Sequence, residues 1–163
     1  MESAPRFKFL SGTARAALAA AVGVMLFFTF GVAPGLFGTY PRATAGEITG
    51  VLFPAYYHFL YATLGVALLS LAAGRCGIRG ATSALILAAL ALGAVAAMDL
   101  GIGPVLDHLR GPGDRAEFAR WHGFAMLLNL AAMIVLGVAC ALPRAHVSGD
   151  PEPGGSKPTR PAP

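Results

Sequence analysis

Four long stretches of the chain contain no charged residue. They cover residues 16–41, 48–74, 80–98 and 121–143. A helix rises about 1.5 Å per residue, so about 20 apolar residues cross the hydrocarbon core of a bilayer. Each stretch reaches or approaches that length, and the third should extend past Asp99 towards Pro104. The pattern predicts an all-α, polytopic membrane protein: a four-transmembrane-helix bundle with helix cores near residues 14–36, 50–73, 81–101 and 119–141.

The first stretch also has features of a signal peptide, because Arg6, Lys8 and Arg15 precede it. The apolar region of a signal peptide is only about 7–15 residues long and ends at a small-residue cleavage site. Here the apolar run continues to Val32 without a clean stop of that kind. We therefore interpret the first stretch as a retained helix.

The positions of lysine and arginine predict the orientation, since cytoplasmic flanks carry an excess of both. With the N-terminus inside, eight of the twelve lie on the inner side: Arg6, Lys8, Arg15, Arg75, Arg79, Arg144, Lys157 and Arg160. We predict a bacterial inner-membrane protein with both termini in the cytoplasm. Its parts are a cytoplasmic segment (1–13), a transmembrane domain (14–142) and a cytoplasmic tail (143–163). The tail is rich in Pro, Gly and charge and should be disordered.

The composition supports this class and excludes others. Hydrophobic residues make up 56% of the chain and charged residues 12%, whereas soluble domains carry roughly 25% charged residues. The net charge of +4 forms no basic stripe with interleaved aromatics, so we expect the bilayer and not nucleic acid as a partner. Cys76 and Cys140 form neither a metal motif nor a disulfide framework, and we interpret them as small packing residues.

Small residues predict where helices approach closely, because close backbone contact drives helix association in lipid. Such residues recur four apart on two faces of the third span and once in the first: Ala84 and Ala88, then Ala89, Gly93 and Ala97, then Ala19 and Gly23. The third helix is therefore expected to pack on more than one side. No reliable internal repeat is evident.

Ionisable groups within spans are rare and costly, so each is a functional candidate. At about 1.5 Å per residue, the distance along the helix from its cytoplasmic end is about 24 Å for His58, about 28 Å for Asp99 and about 30 Å for His122. His122, Met126 and Asn129 share one face of the fourth helix. The predicted pocket or ion-binding residues are His58, His122, Asp99, Asn129, Tyr57 and Tyr61.

Three interpretations of these residues compete. Their polar groups either hydrogen-bond across helices and stabilise packing, or form a site for an ion, a proton or a small molecule that opens to the outside. Such a site would suit a transition metal with His58, His122 and Met126 as candidate ligands. In the third interpretation His58 and His122 are axial haem ligands, but they are offset in depth and no c-type attachment motif is present. We therefore predict no cofactor. His108 is interpreted as a solvated loop residue.

Two prolines bear on the same region. Pro54 lies four residues before His58, where it either kinks the second helix and opens space around His58 or occupies the first turn. Pro34-Gly35 is expected to end or bend the first helix.

Several short segments carry a family resemblance. They are LFPAYYH at residues 52–58, FGTYP at 37–41 followed by Ala45-Gly46, FARWHG at 118–123 followed by Asn129, and Gly103-Pro104. Together they resemble the transmembrane protein 205-like family, a four-span domain of unknown function, over residues 14–142. The resemblance implies a four-span membrane domain and no particular reaction. It marks Pro54, Tyr57, His122 and Asn129 as matching positions, whereas His58 and Asp99 are ranked on physical grounds alone.

These observations favour a membrane protein that binds or transports a small solute, ion or metal through an outward-facing polar pocket. The alternative is a structural or assembly protein whose polar cluster only fixes helix packing. An enzyme is not expected, since the sequence offers no nucleophile–base pair and no paired carboxylates at helical spacing.

Overall fold

The computed structural model describes residues 3–110 and 115–145. Within those residues the chain is helical apart from two short strands and the turns. The same residues contain four helical spans that are long and apolar enough to cross a membrane: Pro5–Thr39, Arg42–Gly74, Ala81–Leu109 and Arg115–Ala141. The predicted all-α architecture with four membrane helices is confirmed.

The spans are built from six α-helices and two π-helical segments. The first span comprises α1 (Ser3–Leu26), π1 (Phe27–Val32) and α2 (Ala33–Thr39). The second is the single helix α3 (Arg42–Gly74). The third comprises α4 (Ala81–Ala96), π2 (Ala97–Ile102) and α5 (Gly103–Leu109), and the fourth is α6 (Arg115–Ala141). Each span extends beyond its predicted core, because helical hydrogen bonding continues into flanks that carry charge.

Each π segment precedes a proline. The N–H groups of Ala33 and Gly103 bond five residues back, to the carbonyls of Phe28 and Met98. Proline lacks an N–H and crowds the carbonyl four residues before it, and the wider π turn accommodates this in both spans. Pro34-Gly35 therefore does not end the first helix, which continues to Thr39.

The connections place the four spans antiparallel. At one end, which we call the loop end, Tyr40 is extended before Pro41 and separates α2 from α3, as expected for a residue before proline. At the other end, the terminal end, strand β1 (Ile78–Arg79) pairs antiparallel with β2 (Arg144–Ala145). This pairing joins the start of α4 to the end of α6, and β2 also contacts α1.

The helices form a ring in the order α1, α3, α4, α6, with α6 closing onto α1. Large side chains such as Leu18, Met25, Leu60 and Leu136 fill the centre. Ala84 and Ala88 are fully buried, as their spacing predicted. The second small-residue face of that span (Ala89, Gly93, Ala97) and the pair Ala19 and Gly23 are exposed on the single chain.

The terminal segments differ from simple cytoplasmic extensions. Residues 3–13 of the predicted N-terminal segment are part of α1. Residues 144–145 of the predicted tail form β2, and its residues 146–163 lie outside the described part of the chain. Cys76 is exposed, and Cys140 is half-buried, with its thiol donating to the Arg15 carbonyl at 3.6 Å.

Candidate functional site

Asn129 joins three spans through two hydrogen bonds. The Tyr56 hydroxyl of α3 donates to its Oδ1 at 3.1 Å. Its Nδ2 donates to the hydroxyl of Thr29 in π1, also at 3.1 Å. Tyr56 is buried, and Thr29 and Asn129 are half-buried. We call these three residues the asparagine contact; both of its hydrogen bonds join uncharged groups on different spans.

Asp99 makes a second interhelical contact. The Tyr61 hydroxyl of α3 donates to its Oδ2 at 2.9 Å, and the carboxyl group is close enough to Tyr57 to interact electrostatically. We call Asp99, Tyr57 and Tyr61 the aspartate contact. Asp99 lies four residues beyond the middle of the span Ala81–Leu109, which is about 6 Å along the helix axis. If the span is centred in the bilayer, this carboxyl group lies within the hydrocarbon region.

A cluster of aromatic rings connects the two contacts. The ring centroids of Tyr56 and Tyr57 are 5.2 Å apart. Phe28 lies 4.8 Å from Tyr56, and Phe53 lies 5.7 Å from Tyr57. These separations are typical of packed aromatic pairs. The asparagine and aspartate contacts are therefore neighbours across one aromatic layer.

The loop end carries a third group of polar residues. The Arg110 guanidinium forms an ion pair with Asp107 at 3.3 Å. It also lies against Gly50 of α3, where a Cβ would come within 2.7 Å of Nη1. Proline at position 54 has no N–H and leaves the Gly50 carbonyl without its usual helical donor. The guanidinium therefore lies beside a helical turn in which one carbonyl group lacks its helical hydrogen bond. His122 is within electrostatic range of Arg110.

His122 and His58 occupy different environments. His122 is exposed near the loop end, and its ring stacks on Phe118 with centroids 5.8 Å apart. His58 is exposed at the middle of α3, between exposed Ala55 and Ala62, so it faces away from the bundle. Pro54 lies inside α3 and not in its first turn. The structure does not bring the two histidines together.

Met126 lies one helical turn after His122 on α6. It lines an open, apolar groove of about 490 Å³ between π1 and α6, whose walls also include Thr29, Phe30, Asn129 and Met133. Within residues 3–110 and 115–145, no group of three or more His, Cys, Asp or Glu is arranged to hold a metal ion. Of the three candidate metal ligands, His58 is thus separated from His122 and Met126, because it lies on α3 and faces away from the bundle.

The structure divides the predicted site residues into separate groups. Asp99, Tyr57 and Tyr61 lie together, and Asn129 is paired elsewhere with Tyr56. Sequence reasoning did not select Tyr56, although its burial on the face of Leu60 and Leu64 could have identified it as core-facing. Thr29 was not among the predicted site residues either. Nothing in the sequence indicates that Arg110 and Gly50 meet, since Arg110 is a cationic loop residue and Gly50 is a glycine within a long helix.

The chain was compared with known proteins and families. No curated protein and no solved structure matches it. A family model described as a domain of unknown function (DUF4149) matches residues 16–115, which is 100 of the 163 residues. The match includes Thr29, Tyr57, Tyr61 and Asp99 and ends at the first residue of α6, before His122 and Asn129. Because it covers more than half of the sequence, the chain belongs to the DUF4149 family of domains of unknown function.

Proposed function

We propose that this membrane protein binds a small cation at the aspartate contact and exchanges it with solution at the loop end. The observation that carries the proposal is the environment of the Asp99 carboxyl group. Tyr61 donates a hydrogen bond to it. The ion pair found among the described residues, however, joins Arg110 to Asp107 and does not involve Asp99. Asp99 therefore has no cationic partner there.

An uncompensated carboxylate in hydrocarbon is unfavourable by several kcal/mol, so such a group is neutralised by a proton or by a cation. The Tyr61 phenol places an oxygen atom beside the carboxyl group, and oxygen is the ligand that hard cations prefer. The aspartate contact therefore has the chemistry of a site for a small, hard cation or a proton. Its carboxyl and phenol oxygens include no thiolate or imidazole for a softer metal.

The test uses dicyclohexylcarbodiimide, an apolar reagent that adds to protonated carboxyl groups. The purified full chain in detergent is treated with it, and the labelled peptides are identified by mass spectrometry. We expect labelling at Asp99 and its loss in Asp99→Asn. Glu47→Gln is the matched control, since Glu47 is an exposed carboxylate near the loop end, and this variant should keep the label at Asp99.

Cations are then tested as competitors for the label. Lithium, sodium, potassium, magnesium and zinc salts are added singly before the reagent at constant ionic strength. Protection of Asp99 by one of them would identify a bound metal cation, and loss of the label with rising pH alone would identify a proton. An Asp99 that remains unlabelled at every pH, in protein that still unfolds cooperatively, would refute the proposal.

A structural function is the alternative, and the asparagine contact favours it. Its three polar side chains satisfy one another across three spans. Within residues 3–110 and 115–145, no buried side-chain nitrogen or oxygen lacks a hydrogen-bond partner. Groups arranged in this way stabilise helix packing and leave little capacity for a ligand. We assign this role to the asparagine contact and the cation to the aspartate contact.

We further propose a bacterial inner-membrane location with both termini in the cytoplasm, supported by the eight-to-four distribution of lysine and arginine. The native Cys76 is exposed at the terminal end and provides the test. A membrane-impermeant thiol reagent should label Cys76 only after the cells are permeabilised. A Cys76→Ser/Gly38→Cys variant, with its thiol at the exposed loop end, should be labelled in intact cells. The reverse pattern would invert the orientation.

We also propose membership of the transmembrane protein 205-like group, supported by LFPAYYH at residues 52–58 and by FARWHG at 118–123. The partner is the lipid bilayer and not nucleic acid. A catalytic role is not proposed, since one carboxyl group flanked by phenols lacks the nucleophile–base pair that covalent catalysis needs.

A further inference from the structure

The first and third spans correspond position by position. Adding 70 to the residue numbers of π1 (Phe27–Val32) and α2 (Ala33–Thr39) gives π2 (Ala97–Ile102) and α5 (Gly103–Leu109). The same shift carries the buried residues Ala14, Leu18, Ala21 and Met25 onto the buried residues Ala84, Ala88, Ala91 and Val95. It also aligns identical residues: Ala19 with Ala89, Gly23 with Gly93, Gly31 with Gly101, Pro34 with Pro104 and Leu36 with Leu106.

The second and fourth spans correspond with a shift of 72. The sequence LGVA occurs at residues 64–67 and again at 136–139. The shift carries the buried residues Leu60, Leu64 and Ala67 onto the buried residues Ala132, Leu136 and Ala139. The two hairpins, residues 11–74 and 81–143, therefore share a burial pattern along their first helices and over the central part of their second helices, whereas buried Ala45 and Thr49 correspond to exposed Glu117 and Trp121. The sequence alone did not reveal this, because most aligned pairs differ in residue type.

The packing has the matching symmetry. Within the hairpins α1 contacts α3 and α4 contacts α6, and between them α3 contacts α4 and α6 contacts α1. Spans 1 and 3 run in the same direction, so a two-fold axis along the membrane normal relates the hairpins. In membrane proteins with parallel repeats of this kind, ligand sites lie at the repeat interface near the bilayer midplane.

The same shifts relate the two polar contacts. Thr29 corresponds to Asp99, each being the third residue of a π segment. Asn129 corresponds to Tyr57. Thr29 meets Asn129 between the first and fourth spans, and Asp99 lies near Tyr57 and bonds Tyr61, one turn further along, between the third and second spans. The two interfaces between hairpins thus place polar residues at corresponding positions, one pair neutral and the other ionisable, although the hydrogen bond of Asp99 is made with Tyr61, whose counterpart is Met133.

We propose that the chain consists of two copies of one helical hairpin, and that Asp99 is a proton-binding carboxyl that in its neutral form makes the contact Thr29 makes in the other copy. This inference rests on the proposed function and names its ligand as the proton. A protonated carboxyl presents an uncharged O–H, as a threonine does. Binding transfers a proton from hydronium to the carboxyl oxygen and leaves water. At higher pH the carboxyl group releases the proton and becomes an anion, whereas Thr29, at the equivalent position, stays uncharged.

The surroundings of Asp99 fit a proton better than a metal ion. The titratable groups that interact with it are Tyr57 and Tyr61 of α3, while α6, which also contacts π2, carries the apolar core residues Ala125, Leu128 and Ala132. His122 and Arg110 lie towards the loop end. His122 precedes Asn129 by seven residues, which is about 10 Å along the helix. A single carboxyl with no second acidic or imidazole ligand is a sparse set for a divalent ion.

Transplanting each contact into the other interface tests the inference. In Thr29→Asp/Asn129→Tyr, carbodiimide labelling should appear at residue 29 in addition to Asp99. Rising pH should remove the label from residue 29 in the same way as it removes the label from Asp99. Leu26→Asp is the control, because position 26 is lipid-facing in the same span and lacks an equivalent partner; its pH profile should differ. A folded double variant with no label at residue 29, or with the profile of the control, would refute the repeat while leaving Asp99 as a cation site.

The converse variant keeps the test decisive if the first does not fold. Asp99→Thr/Tyr57→Asn converts the second interface into a copy of the first. It should remain folded and lose the carbodiimide label at position 99. A pronounced drop in melting temperature would contradict the equivalence. An unlabelled wild-type Asp99 would refute the proposed function itself, and protection by a metal salt without any pH effect would refute the proton as its ligand.

Discussion

Replacing Gly80 with alanine should destabilise the folded protein by about 2–4 kcal/mol, combining left-handed backbone strain with a steric clash. Gly80 precedes α4 with φ of 74°, a conformation that residues with a Cβ rarely adopt. A Cβ there would also lie 2.7 Å from the carbonyl oxygen of Leu142. Because that atom belongs to the backbone at the end of α6, the clash cannot be relieved by a side-chain rotation.

The location explains why the effect should be large. Gly80 lies between β1 and α4, and Leu142 lies between α6 and β2, so their approach allows the two strands to pair. Moving Gly80 and Leu142 apart would weaken the pairing of β1 with β2, which joins the start of the second hairpin to its end. Thermal or denaturant unfolding of the purified chain measures the change.

Two further variants separate the causes. Asparagine tolerates a positive φ but carries a Cβ, so Gly80→Asn should recover stability only if strain and not the clash dominates. Gly93→Ala is the control, since a Cβ there meets nothing within 4 Å and alanine favours helix by about 0.5–1 kcal/mol. Equal stability of Gly80→Ala and wild type would show that the chain does not need this close approach.

The sequence predicted the spans well because length and absence of charge decide membrane crossing. It could not predict the helix ends, since residues 3–13 and 103–109 carry charge or proline and still continue their helices. The π segments were also missed. Their only signal is a proline two residues beyond each segment, and a proline predicts a disturbance without specifying its form.

Counting residues gives the approximate heights of the candidate site residues along their helices but not the directions in which their side chains point. Helices that are apolar on every side have little amphipathic pattern to indicate which face meets a neighbour. Tyr56 and His58 are two residues apart, yet one is buried and the other faces outward. Counting residues placed His58, Asp99 and His122 at similar heights, whereas the helix order and rotation decide which of them meet. Those depend on packing of side chains from all four spans.

Replacing Asn129 with alanine is the second change with a large expected effect, a loss of about 1–3 kcal/mol. Interhelical hydrogen bonds in membrane proteins contribute about 0.6 kcal/mol on average and up to about 1.7 kcal/mol. Asn129 makes two of them, and its removal also leaves the Tyr56 and Thr29 hydroxyls without these partners. Leu130→Ala is the matched control, because Leu130 is the neighbouring residue on α6 and is 46% exposed.

A double-mutant cycle identifies the interaction. Tyr56→Phe and Thr29→Val should each lose part of the stability that Asn129→Ala loses. In the Asn129→Ala background they should lose little more, because contacting residues are not additive. Additive losses would show that the hydrogen bonds across the three spans contribute nothing and that Asn129 stabilises by packing alone.

The same variants separate the two roles assigned to the polar residues. Under the proposed function the asparagine contact stabilises helix packing and the aspartate contact binds the cation, so Asn129→Ala should lower stability and keep carbodiimide labelling at Asp99. Asp99→Asn should abolish the label and change stability less, because an amide still accepts the Tyr61 hydrogen bond at this position. If Asn129→Ala also abolished labelling in folded protein, the two contacts would form one site, and the division of roles between the hairpin interfaces would be wrong.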